Sequence, residues 1–266
     1  MRKTLTSRIL KGLISKCAFF LCIVFLIIGS TPGIIIPSAT AGAATQQNTD
    51  VPLTCTELGL TSVSAAGSSD LFWKDKKVLQ VRFLDGSDFL QAKVQYYAQI
   101  WSDHANIKFE FTKTGPSDIR VSFSPDGTSW SYIGTSARGV EATAPTMNFG
   151  WFEEATRVDE FRRTILHEFG HALGLIHEHQ NPEATINWNK PAVYKYYWQH
   201  FRWNQSIVDN NIFMKYGKDR IQYTTYDPAS IMHYPIPQEF TTDGMLVGWN
   251  TKLSKMDIDF IKAKYP

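Results

Sequence analysis

The chain has 266 residues, 43% of them apolar and 14% aromatic, enough for one large domain or two small ones around a sizeable core. Its formal charge of +2 hides two unlike parts: residues 1–43 hold five bases and no acid, and the remainder holds 22 bases against 25 acids, a net of −3. That balance leaves no basic stripe for nucleic acid and no solubilising acidic tail.

The first element is a basic stretch from Met1 to Lys16, followed by an apolar run from Cys17 to Ile28 and small residues that include Ala39-Thr40-Ala41. Charge, oily core and small-residue site in that order are the pattern of an export signal, with cleavage after Ala41 or after Ala43. The apolar run falls short of the ~20 residues of a membrane span. Residues 1–43 therefore read as a leader, the protein as secreted, and its membrane contact as transient; an uncleaved anchor, helped by Ile34–Ile36, is the alternative. Cys17 and Cys22 lie in that leader, so Cys55 would remain without a partner for an intramolecular disulfide.

Residues 44–70 are poor in large apolar groups and rich in Thr, Ser, Ala and Gly, the composition of a linker or N-terminal arm. From 71 to 266 the pattern is that of a folded domain. Val78–Leu84 alternates apolar and polar residues and predicts a strand. Asp88–Trp101 places Leu90, Val94, Tyr97, Ala98 and Trp101 at helical spacing. Ile107–Phe111 and Ile119–Phe123 read as short strands, and Thr146–Phe149 as a fourth, entered through Pro145. A helix follows over Val158–Leu173, with Phe161, Ile165 and Phe169 on one side and Gly174 as its stop. Beyond 178 the loops lengthen around an aromatic-rich helix near Pro191–Phe201. A closing helix is capped by Ser254, with Asp257 three positions on. Strands first and helices later predict a mixed α+β domain.

The densest chemistry lies in His167-Glu168-Phe169-Gly170-His171-Ala172-Leu173-Gly174-Leu175-Ile176-His177. Residues four apart share a helix face, so His167 and His171 can grip one ion, and imidazole nitrogen suits zinc at about 2.0–2.1 Å. Gly174 can take a backbone shape closed to residues with a β-carbon, which swings His177 toward the same ion. Three protein ligands leave a position for water, the mark of a catalytic Zn2+ site. Glu168, about 100° around the helix from His167, would face that water as general base rather than bind the ion.

HEFGHALGLIH, continued as Glu178-His179-Gln180-Asn181-Pro182, resembles the metzincin clan of zinc peptidases and, within it, the astacin family. A second match, Ser230-Ile231-Met232-His233-Tyr234, is centred 55 residues after His177 and is similar to the astacin Met-turn. The resemblance implies that Met232 forms the floor of the site. It makes Tyr234 a fifth ligand or a donor to the developing oxyanion. Without it, both would read as core packing. Matrixins share HEFGHALGL, but the Glu-His after the third histidine and the tyrosine after the Met-turn favour the astacins.

The likeness covers 71–266 and implies a metzincin-like catalytic domain. A twisted mixed sheet and the active-site helix lie above, and an irregular C-terminal subdomain with a closing helix lies below. The strand before the active helix, here Thr146, Met147, Asn148 and Phe149, would form the upper rim of the cleft, where an extended protein or peptide substrate pairs through its backbone. The chain departs from animal astacins in lacking their disulfides and an FxGD-like segment in 44–70. Cys55 is either a lone thiol in the arm or a latency ligand, and PLTCTELG does not match the matrixin switch. Glu178 anchors the mature N-terminus in relatives. Three functions compete: a monomeric secreted zinc endopeptidase, a retired binding or adhesion module on the same scaffold, and a metalloenzyme acting on a small ester or peptide. His167, Glu168, His171 and His177 all stand, which favours the first.

Overall fold

The computed structural model describes residues 54–58, 71–218 and 221–266. The expected leader, 1–43, lies outside the described residues, as does the 44–70 arm apart from one strand, β1 (Thr54–Leu58). The remaining strands are β2 (Val78–Phe83), β3 (Lys108–Thr112), β4 (Ile119–Ser122), β5 (Thr128–Tyr132) and β6 (Met147–Phe149). They form one sheet in the order β1-β5-β6-β4-β2-β3. β2 runs parallel to β3 and β4, and β4 parallel to β6. β5 reverses against β6, and β1 runs parallel to β5. The α+β architecture of the expected domain is thus present.

Alternation drives β2: Leu79 and Val81 are fully buried while their neighbours stay partly exposed. Between β2 and β3 runs α1 (Asp88–Ser102), capped by Ser87, with Leu90, Val94, Tyr97, Ala98 and Trp101 buried, the face its spacing predicts. It packs on α2 (Val158–Ala172), whose length from Phe161 to Ala172 is almost wholly buried. An α-helix buried nearly all round belongs in a core, and α2 fills the space between sheet, α1 and the closing helix.

The sequence does not predict β5, and its burial explains why. Ser129 and Ser131 are fully buried, while Trp130 and Tyr132 keep some exposure. The small polar residues take the fully buried positions and the aromatics the half-buried ones, the reverse of the usual alternation. Because α2 packs against β5, small side chains on that face allow close approach of helix and strand.

The chain after α2 builds a second apolar cluster from α3 (Lys190–Phe201), the short α4 (Gln205–Val208) and the loops around Phe240 and Val247. The last helix, α5 (Lys255–Lys264), returns Ile261 and Tyr265 to the first cluster. Met232 belongs to the first cluster and Tyr234, two residues later, to the second. The 230–234 turn therefore stitches the two cores together beside α2. No helix among the described residues is long and apolar enough to cross a membrane.

Candidate metal centre

The end of α2 sets the site. Leu175 N–H reaches Gly170 O at 3.0 Å and Gly174 N–H reaches His171 O at 2.8 Å, the paired bonds of a Schellman stop. Gly174 has φ +103°, which side chains with a β-carbon rarely adopt, and an added Cβ would also meet the Phe72 ring at 3.0 Å. Two remaining helix-end carbonyls are closed by long-range donors, Ala172 O by Trp73 Nε1 and Leu173 O by the Tyr265 hydroxyl. This stop points the chain back so that His177 meets the two helical histidines.

The Nε2 atom of His171 lies 3.1 Å from His167 Nε2 and 3.2 Å from His177 Nε2. Bonds of about 2.0–2.1 Å at tetrahedral angles separate ligand nitrogens by about 3.3 Å, so the three rings are spaced as one zinc ion requires. Their protonation fits as well. His167 Nδ1 donates to Ile231 O at 2.8 Å and His171 Nδ1 to Leu175 O at 2.9 Å. A carbonyl only accepts, so each of these rings carries its hydrogen on Nδ1 and turns the Nε2 lone pair inward. Lone pairs converging in a buried space repel one another unless they share a cation. Burial, then the charges of His171 and His177, hold the His167 imidazole well below its ordinary pKa, so the ring stays neutral. Among the described residues this is the group of histidines, cysteines or carboxylates able to hold an ion.

Glu168 follows the first of these histidines on α2 and is fully buried. The Tyr234 ring centre lies 4.2 Å from that of His177 and 6.1 Å from that of His167. His179 stacks on the Tyr234 ring at 4.7 Å and on His177 at 5.3 Å, so the three rings cluster together. Met232 presses on the helix: a Cβ on Gly170 would sit 2.4 Å from its Sδ, so glycine there permits the approach. Glu178 N–H donates to Met232 O at 2.9 Å, tying the residue after the third histidine to the turn. Burial pushes the Glu178 carboxyl up to about 7, although Asp227 N–H and the Asn181 amide both donate to it. His233 turns away from the histidine cluster, its Nδ1 on the Tyr234 carbonyl and its Nε2 accepting from the Tyr226 hydroxyl. Burial lowers its pKa to about 4, so this ring is neutral too.

The expected rim needs correction. Thr146–Phe149 lies inside the sheet, with β4 on one side and β5 on the other, and all four residues are buried. Its backbone is committed on both sides, Thr146 N–H to Arg120 O at 2.8 Å and its carbonyl to Tyr132 N–H at 2.9 Å. An internal strand cannot take on another. The Asn148 side chain, which bonds Ser122, Ser124, Asp126 and Thr128, is a buried brace within the sheet. Sequence order misled here because the strand preceding the helix is not the strand at the sheet's margin.

Sequence reasoning also missed groups with no local signature. The carbonyls of Ile231 and Leu175, which fix two imidazoles, carry no side-chain signal at all. Asp257 reads as a helix cap, yet Ser230 Oγ and Ile231 N–H also donate to it.

The profile of the Astacin peptidase family matches residues 68–266. A solved structure of myroilysin is 44% identical, covers 78% of this chain and 97% of its own, and superposes with a TM-score of 0.70. High choriolytic enzyme 1, a hatching enzyme zinc-protease from the medaka Oryzias latipes, is 18% identical at a TM-score of 0.51, a likeness of fold alone over 74% of this chain and 96% of its own. Zinc metalloproteinase nas-38 of Caenorhabditis elegans is 26% identical over 57% of this chain. The chain spans between 18% and 41% of the length of the curated relatives it matches.

Proposed function

The chain belongs to the astacin family of peptidases, and from that membership we propose that it is a zinc-dependent endopeptidase, secreted by way of residues 1–43, with Glu168 as its general base. The observation that carries the reading is the convergence of His167, His171 and His177 at ligand spacing, with the Nδ1 atoms of the first two already occupied. When bound, zinc supplies a Lewis acid for the scissile carbonyl and lowers the pKa of water to about 7.

The rest falls to the chain's own groups. Glu168 accepts the proton of the attacking water and passes it to the leaving amine. Its burial on α2 excludes bulk water from that transfer. Tyr234 packs against the His177 and His179 rings, and its hydroxyl donates to the oxyanion as charge develops there. Met232 serves as packing beneath α2, fixing the helix that bears two ligands.

An extended substrate needs a sheet margin for backbone pairing. Within 71–266 the strand at the α2 side is β5, and its outer edge is paired with β1. We assign substrate pairing to that edge, so residues 54–58 and substrate compete for it.

The test uses the exported protein, whose N-terminus is expected at Gly42 or Ala44. Zinc content and cleavage of an unstructured protein are measured for it and for Glu168→Ala. The variant should keep its zinc and lose turnover by about 10²–10⁴-fold. Equal activity in the two proteins would refute the mechanism, and an uncleaved leader in the exported chain would refute secretion by that route.

A further inference from the structure

Behind His167 runs a line of hydrogen bonds that ends on a carboxylate in the last helix. His167 Nδ1 donates to Ile231 O at 2.8 Å. The peptide group that owns this carbonyl also owns the Met232 N–H, which donates to Ser230 Oγ at 3.0 Å. Ser230 Oγ in turn donates to Asp257 Oδ1 at 2.6 Å. The other carboxylate oxygen accepts Ile231 N–H at 2.8 Å and Ser254 N–H at 2.9 Å. His167, Ser230, Ile231, Met232 and Asp257 are all buried, so solvent does not interrupt the line.

We propose that Asp257 is a positioning residue for the metal centre, acting on His167 through the Ser230 hydroxyl and the Ile231–Met232 peptide. Two physical effects run in the same direction. The carboxylate holds the Ile231 N–H directly and the Met232 N–H through Ser230, which aims the carbonyl that orients the imidazole. Its negative charge also polarises the line: Ser230 Oγ becomes a stronger acceptor, the Met232 N–H is drawn toward it, and the Ile231 oxygen gains electron density. A more basic oxygen on Nδ1–H raises the donor strength of Nε2, the effect a carboxylate bonded directly to a ligand histidine would give. Here a peptide group stands between the two. Asp257 thus performs two tasks, closing the capping box of α5 and holding the ligand geometry.

This inference rests on the three histidines binding zinc, and the experiment separates the two claims. Zinc affinity is measured by chelator competition on the full exported chain, with folding checked by circular dichroism. Asp257→Asn and Ser230→Ala break the line, and each should weaken zinc binding by about tenfold. Ser254→Ala removes the cap acceptor of Asp257 N–H and a donor to Asp227 Oδ2, and leaves the line from Asp257 to His167 intact. It should lower the melting temperature yet keep zinc affinity within about twofold of the parent. Affinity unchanged in Asp257→Asn and Ser230→Ala, or reduced as much in Ser254→Ala, would overturn the proposal. If Asp257→Asn does not fold, Ser230→Ala against Ser254→Ala decides in the same way. A parent protein that binds no zinc would instead overturn the metal site itself.

Discussion

At the scale of single residues, two of the ligand histidines are governed by backbone atoms that their own identity does not reveal. The spacing from His167 to His177 shows which side chains can meet, because helical geometry and one glycine stop are local properties. Which nitrogen faces the ion depends on the carbonyls of Leu175 and Ile231, and the second lies 64 residues away from its histidine. Gly170 shows the same division. Nothing in the spacing of the histidines tells a reader that position 170 must lack a side chain, since the crowding comes from Met232 and Trp101. Alanine there would gain about 1 kcal/mol of helix propensity and meet overpacking of about 1–3 kcal/mol. The second effect should win, because Met232 is buried and its carbonyl is held by Glu178 N–H. Gly170→Ala is therefore expected to melt about 2–4 °C lower by calorimetry for each kcal/mol lost. A melting point equal to or above that of the parent would show that Met232 moves aside freely.

At the scale of elements, periodicity found those that alternate in the ordinary sense and failed on those that do not. α1 and α2 occupy nearly the residues expected, and Ser254 and Asp257 form the capping box their spacing announces. Serines on the inward face of β5 hide it from periodicity, and chain order says nothing of which strand lies outermost, so it points to β6 where the sheet's margin is elsewhere. Pairing of β1 with β5 has a consequence for activity. A strand bonded along that edge leaves no backbone groups there for a peptide. A chain beginning at Leu71 should therefore cleave an unstructured protein faster than one beginning at Ala44, chiefly through a lower KM. Identical kinetics for the two forms would place substrate elsewhere. Cys55 lies in β1, so the same comparison made with Cys55→Ser tells strand pairing from any contribution of the thiol.

At the scale of the whole molecule, two apolar clusters meet where the 230–234 turn passes beneath α2, and the histidines sit at that seam. Composition and segment order foretold a mixed α+β domain, and the metal motif foretold its centre. Long-range closure was not foretold, because Asp257, Tyr265 and Trp73 act on α2 or its turn across tens of residues. An ion held by residues from α2 and the segment after it joins parts that the unfolded chain keeps apart, so binding and folding are coupled. X-ray absorption at the zinc edge of the loaded protein reads the ligands of this centre. Coordination by His167, His171 and His177 gives one zinc per chain, with three imidazole nitrogens at about 2.0–2.1 Å and a further light-atom ligand. A first shell that needs fewer than three imidazoles, or a folded protein that takes up no zinc, would contradict it.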